Sequence, residues 1–207
     1  QVGQQLRLPG SDASPAQPPP PPPPGGGEPA GPGDISLQTL EQIMPNLPDD
    51  TARRYIDPLN QAMREYGINT PERQAAFLAQ IAEESIELTA FEELADGSEY
   101  EGWCQSLGNC QPGDGVRYKG RGPIQLTGRS NYRAAGKALG LDLERNPTIA
   151  ATPEVGFRTA GWFWKNRKLN ALADASNFWD LTYRINTARK HYSERKKYYD
   201  RALKVLA

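Results

Sequence analysis

The longest helical pattern in the chain begins in the stretch TPERQAAFLAQIAEESIELTAFEE, residues 70–93. Threonine, proline and glutamate at its start are typical of a helix N-terminus, with a hydroxyl N-cap and an acid in the first turn. At about 100° per residue, Ile81, Glu84 and Leu88 share the face of Phe77, so a carboxylate lies within an apolar stripe. Such an acid is costly to ionise, and Glu83 beside it adds to the cost. The pattern therefore predicts either a general acid at Glu84 or a helix-edge glutamate that extends to water.

The composition limits the chain to one folded domain. It has 207 residues, a net charge of −1 and no apolar run long enough for a membrane-spanning helix. This charge gives no drive towards nucleic acid or an anionic membrane, so we expect neither as a partner. Seven consecutive prolines at 18–24, followed by three glycines, predict a disordered linker, which we assign to residues 10–34. The folded domain is then residues 35–207.

From residue 35 onward the sequence pattern is mostly helical, apart from a segment at 95–123 that is rich in glycine and turns. The short run 123–127 predicts a strand or an extended segment. We expect helices at residues 37–44, 50–66, 70–88, 131–139, 153–165, 178–186 and 191–206. The predicted fold class is mainly α, with a glycine-rich cleft wall and little or no β-sheet.

Two blocks of opposite charge lie close together in the sequence. Residues 83–101 contain eight acids and no base, and residues 115–140 contain six bases and no acid. The blocks either neutralise each other at the surface or form two walls of one cleft, in which the basic wall keeps one carboxylate ionised. Two carboxylates in opposed protonation states are typical of glycosidic bond hydrolysis. Glu93 can join Glu84 in such a cleft only if the helix ends between them, and the spacing leaves Glu92 as the alternative.

Five motifs stand out: FLAQIAEES at 77–85, EEL at 92–94, YKGRGPIQLT at 118–127, NY at 131–132 and AGWFW at 160–164. Together they resemble family 19 glycoside hydrolases of the chitinase class, particularly the phage endolysin and bacterial cell-wall branch. The run beginning at residue 118 is long and specific, and the resemblance extends over residues 35–207. It implies a lysozyme-like helical fold and an inverting reaction that uses two glutamates.

The resemblance also implies roles for individual residues. Glu84 matches the general acid, Glu93 the general base, and Thr127 the hydroxyl residue that helps to hold the attacking water. The predicted substrate-binding residues are Gln125, Asn131, Asn186, Tyr118 and Trp103; the last lies in the turn-rich segment and is suited to stacking on a sugar ring. We expect Trp162 and Trp164 to lie in the core instead.

Three positions depart from the family's motifs. Glu83 replaces a histidine, residues 86–87 (Ile-Glu) replace a pair of glycines, and residues 187–188 (Thr-Ala) replace a second pair. Because Ile86 is β-branched and resists a left-handed conformation, we expect the third helix to continue at least to Glu87. The departures leave a glycan-binding domain with impaired catalysis as an alternative to the enzyme.

Cys104 and Cys110 are six residues apart, which suits either a small disulfide loop, worth roughly 2 kcal/mol, or two free thiols. The single histidine, His191, is far from both, so we predict no metal site and expect His191 to be a solvated helix-start residue. Eight basic residues within 184–207 predict a solvated helix face or a surface that meets an anionic cell wall.

The first nine residues, QVGQQLRLP, resemble the closing strand of a LysM module, which binds N-acetylglucosamine polymers. With the linker and the endolysin-like motifs, they favour cell-wall peptidoglycan as the substrate, and chitin is the alternative. We predict hydrolysis of β-1,4 bonds by a monomer without metal or organic cofactor. Because the chain starts at Gln1, we expect a fragment or processed product of a protein that is secreted, periplasmic or delivered to the cell wall.

Overall fold

The computed structural model describes residue 31 and residues 33–207, so the predicted LysM remnant and almost all of the predicted linker lie outside it. Ten α-helices and two 3₁₀ helices form the described part. The α-helices are α1 Leu37–Ile43, α2 Asp49–Glu65, α3 Pro71–Glu84, α4 Cys104–Leu107, α5 Asp114–Arg117, α6 Arg129–Leu139, α7 Pro153–Asn166, α8 Leu169–Asp174, α9 Phe178–Ile185 and α10 Tyr192–Leu206. The 3₁₀ helices are Ser98–Tyr100 and Pro147–Ala151. The mainly α prediction is confirmed.

Of the run 123–127, predicted as a strand or an extended segment, residues 123–125 form a turn and Leu126 forms an isolated bridge. In the part of the chain that the structure describes, the β-structure consists of two isolated antiparallel bridges, which pair Glu92 with Arg121 and Arg121 with Leu126. None of the described helices is long and apolar enough to cross a membrane.

Helix α3 runs through the centre of the core. Its residues 74–82 are all buried, and it packs mainly against α10, while α2 packs against α7. The ring of Phe77 on α3 meets Trp164 of α7 edge-on at 5.2 Å between centroids, and both side chains are buried. Burying an apolar side chain of this kind contributes roughly 1.5–3 kcal/mol. The expected core position of Trp164 is therefore confirmed.

Helix α3 ends at Glu84 with Ser85 as its C-cap, so the prediction that it continues to Glu87 is wrong. Instead, Ile86, Glu87 and Leu88 adopt φ angles of 51°, 52° and 62°, which places three consecutive non-glycine residues in the left-handed region. Each costs roughly 1–2 kcal/mol relative to a right-handed conformation. The chain therefore leaves the helix where the family's glycines would turn it, but with strained residues.

Buried contacts explain why this left-handed turn forms without glycine. The carboxylate of Glu87 is 4% exposed and accepts hydrogen bonds from the backbone N–H of Asn46 at 2.7 Å and from its side-chain amide at 2.8 Å. The hydroxyl of Tyr198 donates to the same carboxylate at 2.7 Å. Leu88 is fully buried, whereas Ile86 extends into solvent. The buried contacts of Glu87 and Leu88 outweigh the resistance of Ile86 to a left-handed conformation. The sequence indicated only the resistance of Ile86, because the contacts of Glu87 are with residues distant in the chain.

Candidate active site

After the left-handed turn, the chain runs beside the YKGRG motif. The backbone N–H of Glu93 donates to the carbonyl of Gly120 at 2.9 Å, and the N–H of Gly120 donates back to Oε2 of Glu93 at 2.9 Å. A Cβ at position 120 would lie 2.5 Å from Oε1 of Gln125 and 3.1 Å from Oε2 of Glu93. Any larger residue at position 120 would therefore displace the end of the Gln125 side chain and crowd the carboxylate of Glu93. Gly120 therefore brings the Glu93 carboxylate and the Gln125 amide to one place.

The carboxylate of Glu93 is held by neutral donors. The hydroxyl of Tyr100 donates to its Oε1 at 2.9 Å, opposite the Gly120 N–H. Burial of Tyr100, together with its hydrogen bond to Glu93, raises the pKa of the phenol, so that it remains a donor over the whole physiological range. Both oxygens of Glu93 thus accept from neutral donors, and in the part of the chain that the structure describes its carboxylate forms no ion pair.

The neighbouring Glu92 has different surroundings. Its Oε1 lies 3.1 Å from Nε of Arg121 and 3.4 Å from Nζ of Lys119. Its carboxylate forms ion pairs with the basic block, whereas Glu93 lies beside Gln125. Of the two candidates that the sequence left open, Glu93 is the one that lies against the predicted substrate-binding residues.

Three predicted residues come together beyond Gly120. Gln125 has a φ of 54°, and its side-chain amide donates to the carbonyl of Ala90 at 3.3 Å. The hydroxyl of Thr127 donates to the carbonyl of Gln125 at 2.9 Å, and the side-chain amide of Asn131 donates to the carbonyl of Thr127 at 2.7 Å. All three line one cavity of about 150 Å³. A left-handed non-glycine residue at such a place is the kind of strain that clusters at functional sites.

A short path of hydrogen bonds joins this cavity to the end of α3. Ala90, which accepts from Gln125, donates its N–H to the carbonyl of Ser85 at 2.9 Å. Ser85 directly follows Glu84, whose side chain is 23% exposed. The segment that carries Glu84 and the segment that carries Glu93 are therefore both anchored to Gln125 and its neighbours.

The surroundings of Glu84 differ from the predicted apolar stripe. Nη2 of Arg195 donates to Oε1 of Glu84 at 2.6 Å, and the side chain of Arg195 is only 3% exposed. Nη1 of Arg195 donates to Oε1 of Gln80 at 2.6 Å, and Gln80 in turn donates to the hydroxyl of Thr182 at 2.8 Å. The expectation of a solvated basic face on the last helix is therefore wrong at Arg195. This residue of α10 is buried, and its guanidinium contacts the carboxylate of Glu84.

Glu83, which stands in place of a histidine in the family's motifs, also contacts a residue at the start of α10. Oε1 of Glu83 lies 2.7 Å from Nδ1 of His191, whose side chain is 71% exposed. His191 is the N-cap residue of α10 with a φ of 55°. It is solvated at a helix start, as predicted, but it also binds the acid that stands in place of the family's histidine.

The basic block does not form a cleft wall opposite the acidic block. Arg129 pairs with Asp114 at 2.5 Å and with Glu144 at 3.0 Å, and Arg133 pairs with Glu144 at 2.7 Å. Arg133 and Arg129 lower the pKa of Glu144 to about 2. These acids lie outside the predicted acidic block, and among the ion pairs of the described residues only those of Glu92 link the two blocks. The two-wall prediction is therefore wrong in its main part.

The other three predicted substrate-binding residues, Tyr118, Asn186 and Trp103, do not line the cavity that Gln125 and Asn131 line. Tyr118 is 1% exposed and donates its hydroxyl to the carbonyl of Glu144 at 3.0 Å, so the prediction that it contacts substrate is wrong. Asn186 is the C-cap of α9 and accepts from the N–H of Lys190 at 3.3 Å, outside the cavity lining. Trp103 is 50% exposed and meets the ring of Tyr100 edge-on at 5.7 Å, which places it near Glu93.

Cys104 and Cys110 form a disulfide with their Cα atoms 4.5 Å apart. The bond closes the loop that follows Trp103, so the structure supports the disulfide rather than two free thiols. Within the described residues, no group of three or more histidine, cysteine, aspartate or glutamate side chains is arranged to hold a metal ion.

Some residues of the site had no usable signal in the sequence. Arg195 is one of eight bases near the C-terminus, and nothing local distinguishes it from the exposed ones. Tyr100 lies only seven residues after Glu93, but their contact cannot be predicted from the sequence because the intervening segment consists of irregular turns. Trp162 was expected in the core, yet it is half-buried and lines the cavity with Arg167. These residues are recognised only in the folded structure, because their contacts depend on how the helices and turns pack together.

A mainly helical domain, in which Glu84 and Glu93 lie on two segments linked to the neighbourhood of one cavity, has a lysozyme-like class of fold. The chain belongs to glycoside hydrolase family 19, because the family's sequence profile, chitinase class I, matches residues 68–177. The predicted family is confirmed, whereas its endolysin branch is not shown by the curated relatives, which are endochitinases.

Curated relatives match the middle of the chain. An endochitinase of Arabidopsis thaliana is 43% identical over 115 residues, covering 54% of this chain and 38% of that protein. The acidic 27 kDa endochitinase of Solanum lycopersicum is 45% identical over 97 residues, covering 46% and 37%. The matched region thus spans less than two fifths of these relatives.

A solved structure covers more of the chain. Chitinase C from Streptomyces griseus superposes with a TM-score of 0.72 at 26% identity, covering 87% of this chain and 95% of that one. A bacterial family 19 chitinase gives a TM-score of 0.69 at 25% identity. The lysozyme-like helical fold that the motifs implied is therefore confirmed.

Proposed function

We propose that this chain hydrolyses β-1,4 glycosidic bonds in N-acetylglucosamine polymers, with chitin as the first substrate. The observation that carries the proposal is the convergence at Gly120, where the Glu93 carboxylate and the Gln125 amide meet, with Gln125 linked through Ala90 to the end of α3. Endochitinases among the relatives support chitin and reverse the order of substrates that the sequence motifs favoured.

In the proposed reaction, Glu84 donates a proton to the glycosidic oxygen as the bond from that oxygen to the anomeric carbon breaks. Glu93 removes a proton from a water molecule as its oxygen bonds to the anomeric carbon from the opposite face, which inverts the configuration. The hydroxyl of Thr127 donates to the Gln125 carbonyl, so its lone pairs remain available to accept a hydrogen bond from that water. No cofactor enters the scheme.

The neighbours of the two carboxylates orient them. Tyr100 and Gly120 each hold one oxygen of Glu93, and Arg195 holds one oxygen of Glu84. Gln125 and Asn131 would bind the sugar's amide and hydroxyl groups, because both line the cavity. The exposed ring of Trp103 would stack on a sugar near Glu93.

Peptidoglycan is the second candidate substrate, because the endolysin-like motifs and the N-terminal nine residues point to it. It presents the same N-acetylglucosamine unit as chitin. A location outside the cytoplasm belongs to this proposal, and the Cys104–Cys110 disulfide supports it since such bonds persist in oxidising compartments.

Parallel turnover assays on chitin oligosaccharides and purified sacculi test the proposal. Glu84→Gln and Glu93→Gln should each lower turnover at least about 100-fold, since each removes one partner of the proton transfers. Glu92→Gln is the matched control and should retain most activity, because that carboxylate is occupied by Arg121 and Lys119.

Full turnover by Glu84→Gln would contradict the proposal, and a larger loss in Glu92→Gln than in Glu93→Gln would transfer the base role to Glu92. Binding of the glycan by the wild-type protein without any product would favour the impaired, glycan-binding alternative. Activity on sacculi alone would place peptidoglycan ahead of chitin.

A further inference from the structure

Arg167 directly follows α7 and lines the same cavity as Gln125, Thr127 and Asn131. Its guanidinium carbon lies 3.7 Å from the centre of the Phe163 ring. Its Nε donates to the carbonyl of Arg184 at 3.1 Å. The stacked ring and the backbone bond fix the plane of the guanidinium beside the proposed sugar-binding groups.

The terminal nitrogens of Arg167 have no partner among the described residues. Within residues 31 and 33–207, neither forms a hydrogen bond to another residue, and no carboxylate lies within 4.0 Å of Arg167 or of the adjacent Arg184. Partial burial lowers the pKa of Arg167, whereas Asp114 and Glu144 raise that of Arg129. Arg167 is exposed as a residue, and its guanidinium, which lines the cavity, has no anionic partner within the described residues.

We infer that Arg167 is a specificity-determining residue that binds a carboxylate carried by the glycan, so that the cleft holds acidic strands of the peptidoglycan type, the second candidate substrate, as well as neutral chitin. The planar guanidinium matches a carboxylate through two parallel N–H···O bonds. A neutral strand leaves these donors to water. The inference rests on the proposed function in one respect, which is that the cavity residues hold the sugar chain.

The carboxylate has two sources in such strands. Peptide-bearing strands carry free carboxylates on the peptide, and strands stripped of peptide carry them on the lactyl ether of every second sugar. Both kinds of strand therefore serve as probes, with a chitin oligosaccharide of similar length as the neutral probe. The strand type that loses more affinity without Arg167 identifies the source.

Equilibrium dissociation constants for the three probes should be measured by calorimetry in a Glu84→Gln background, which prevents turnover. Adding Arg167→Gln should weaken binding of an acidic strand about tenfold, the loss expected for one charge-assisted pair, and change chitin binding less than about twofold. Arg167→Lys should recover part of the loss, because it keeps the charge but not the planar donor pair.

Arg54→Gln is the matched control, since Arg54 lies on α2, does not line the cavity and bonds only to neighbouring residues of its own helix. It removes the same charge and should change none of the constants. Equal weakening of acidic and neutral probes by Arg167→Gln, or an effect on acidic strands no larger than that of Arg54→Gln, would overturn the inference. Turnover by the wild-type protein tests the proposed function separately, because these are binding constants.

Discussion

The guanidinium of Arg195 lies 2.6 Å from the carboxylate of Glu84 and joins the last helix of the domain to the end of the central one. Because Arg195 is buried and also binds Gln80, it fixes the position of Glu84 rather than neutralising a surface charge. In the proposed reaction, Arg195 is a positioning residue for the general acid.

Arg195→Ala should lower kcat about 100-fold with a smaller change in KM, since misplacing a catalytic group costs rate more than binding. It should also lower the free energy of unfolding by about 3 kcal/mol, because Gln80 and Glu84 both lose a buried partner. Steady-state kinetics and chemical denaturation measure the two effects. Lys196→Ala, which removes only a surface pair with Asp200, is the control, and an unchanged kcat in Arg195→Ala would refute the positioning role.

Ile86→Gly should stabilise the protein by about 1 kcal/mol, because Ile86 is 68% exposed and has a φ of 51°, a conformation that glycine adopts without strain. For a domain of this size, the gain corresponds to a rise in Tm of about 2–4 °C. Ile86→Ala is the matched control: it shortens the same exposed side chain but keeps a Cβ in the left-handed region. Equal Tm values for the two variants would show that backbone strain is not the cause.

Tyr198→Phe should lower the free energy of unfolding by about 1–2 kcal/mol, because it removes one hydrogen bond from the buried carboxylate of Glu87. The hydroxyl of Tyr198 helps to hold the left-handed turn, so the loss should be accompanied by faster hydrogen exchange at residues 86–90. Tyr183→Phe, at a half-exposed position, is the control. Unchanged exchange in the turn would mean that Glu87 does not depend on this bond.

Most of the fold could be predicted from the sequence, because it follows from local patterns. The start of α3 at Thr70, the apolar face of Phe77 and the glycine stops are properties of neighbouring residues. The end of α3 could not be predicted, since the left-handed turn depends on Asn46 and Tyr198, which are 41 and 111 residues from Glu87.

The sequence predicted only those site residues that lie in motifs of the family. Glu84, Glu93, Gln125, Thr127 and Asn131 follow from the resemblance, and hydrogen bonds link the last three to one another in the structure. The electrostatics were not predictable, because the basic residues between 117 and 133 bind Glu92, Asp114 and Glu144 instead of facing a cleft. Charge blocks in a sequence give the amount of charge but not the partners.

The free energy of unfolding should decrease at acidic pH, because protonation of Glu144 removes its ion pairs with Arg133 and Arg129. Its pKa is lowered from 4.5 to about 2 by Arg133 and Arg129, so the folded state binds fewer protons than the unfolded chain between these values. The stabilisation is present above pH 4.5 and is lost as the pH falls towards 2. Glu144→Gln should therefore be less stable than wild type at pH 6, with a shallower decline below pH 4.5.

Denaturation curves at pH 6, 4 and 3 measure this dependence. Glu41→Gln is the control, because Glu41 forms no ion pair in the part of the chain that the structure describes. Parallel acid declines for wild type and Glu144→Gln would show that the Arg129–Glu144–Arg133 cluster does not contribute.

The central claim is that Glu84 and Glu93 act on opposite faces of the sugar. The most direct measurement is the anomeric form of the first product from a chitin oligosaccharide, followed by proton NMR before mutarotation. Inversion at a β-1,4 bond predicts that the α-anomer appears first in the wild-type protein. The general-acid role of Glu84 predicts that Glu84→Gln forms product at least about 100-fold more slowly. A β-anomer as the first product, or undiminished product formation in Glu84→Gln, would contradict the two-carboxylate inverting mechanism.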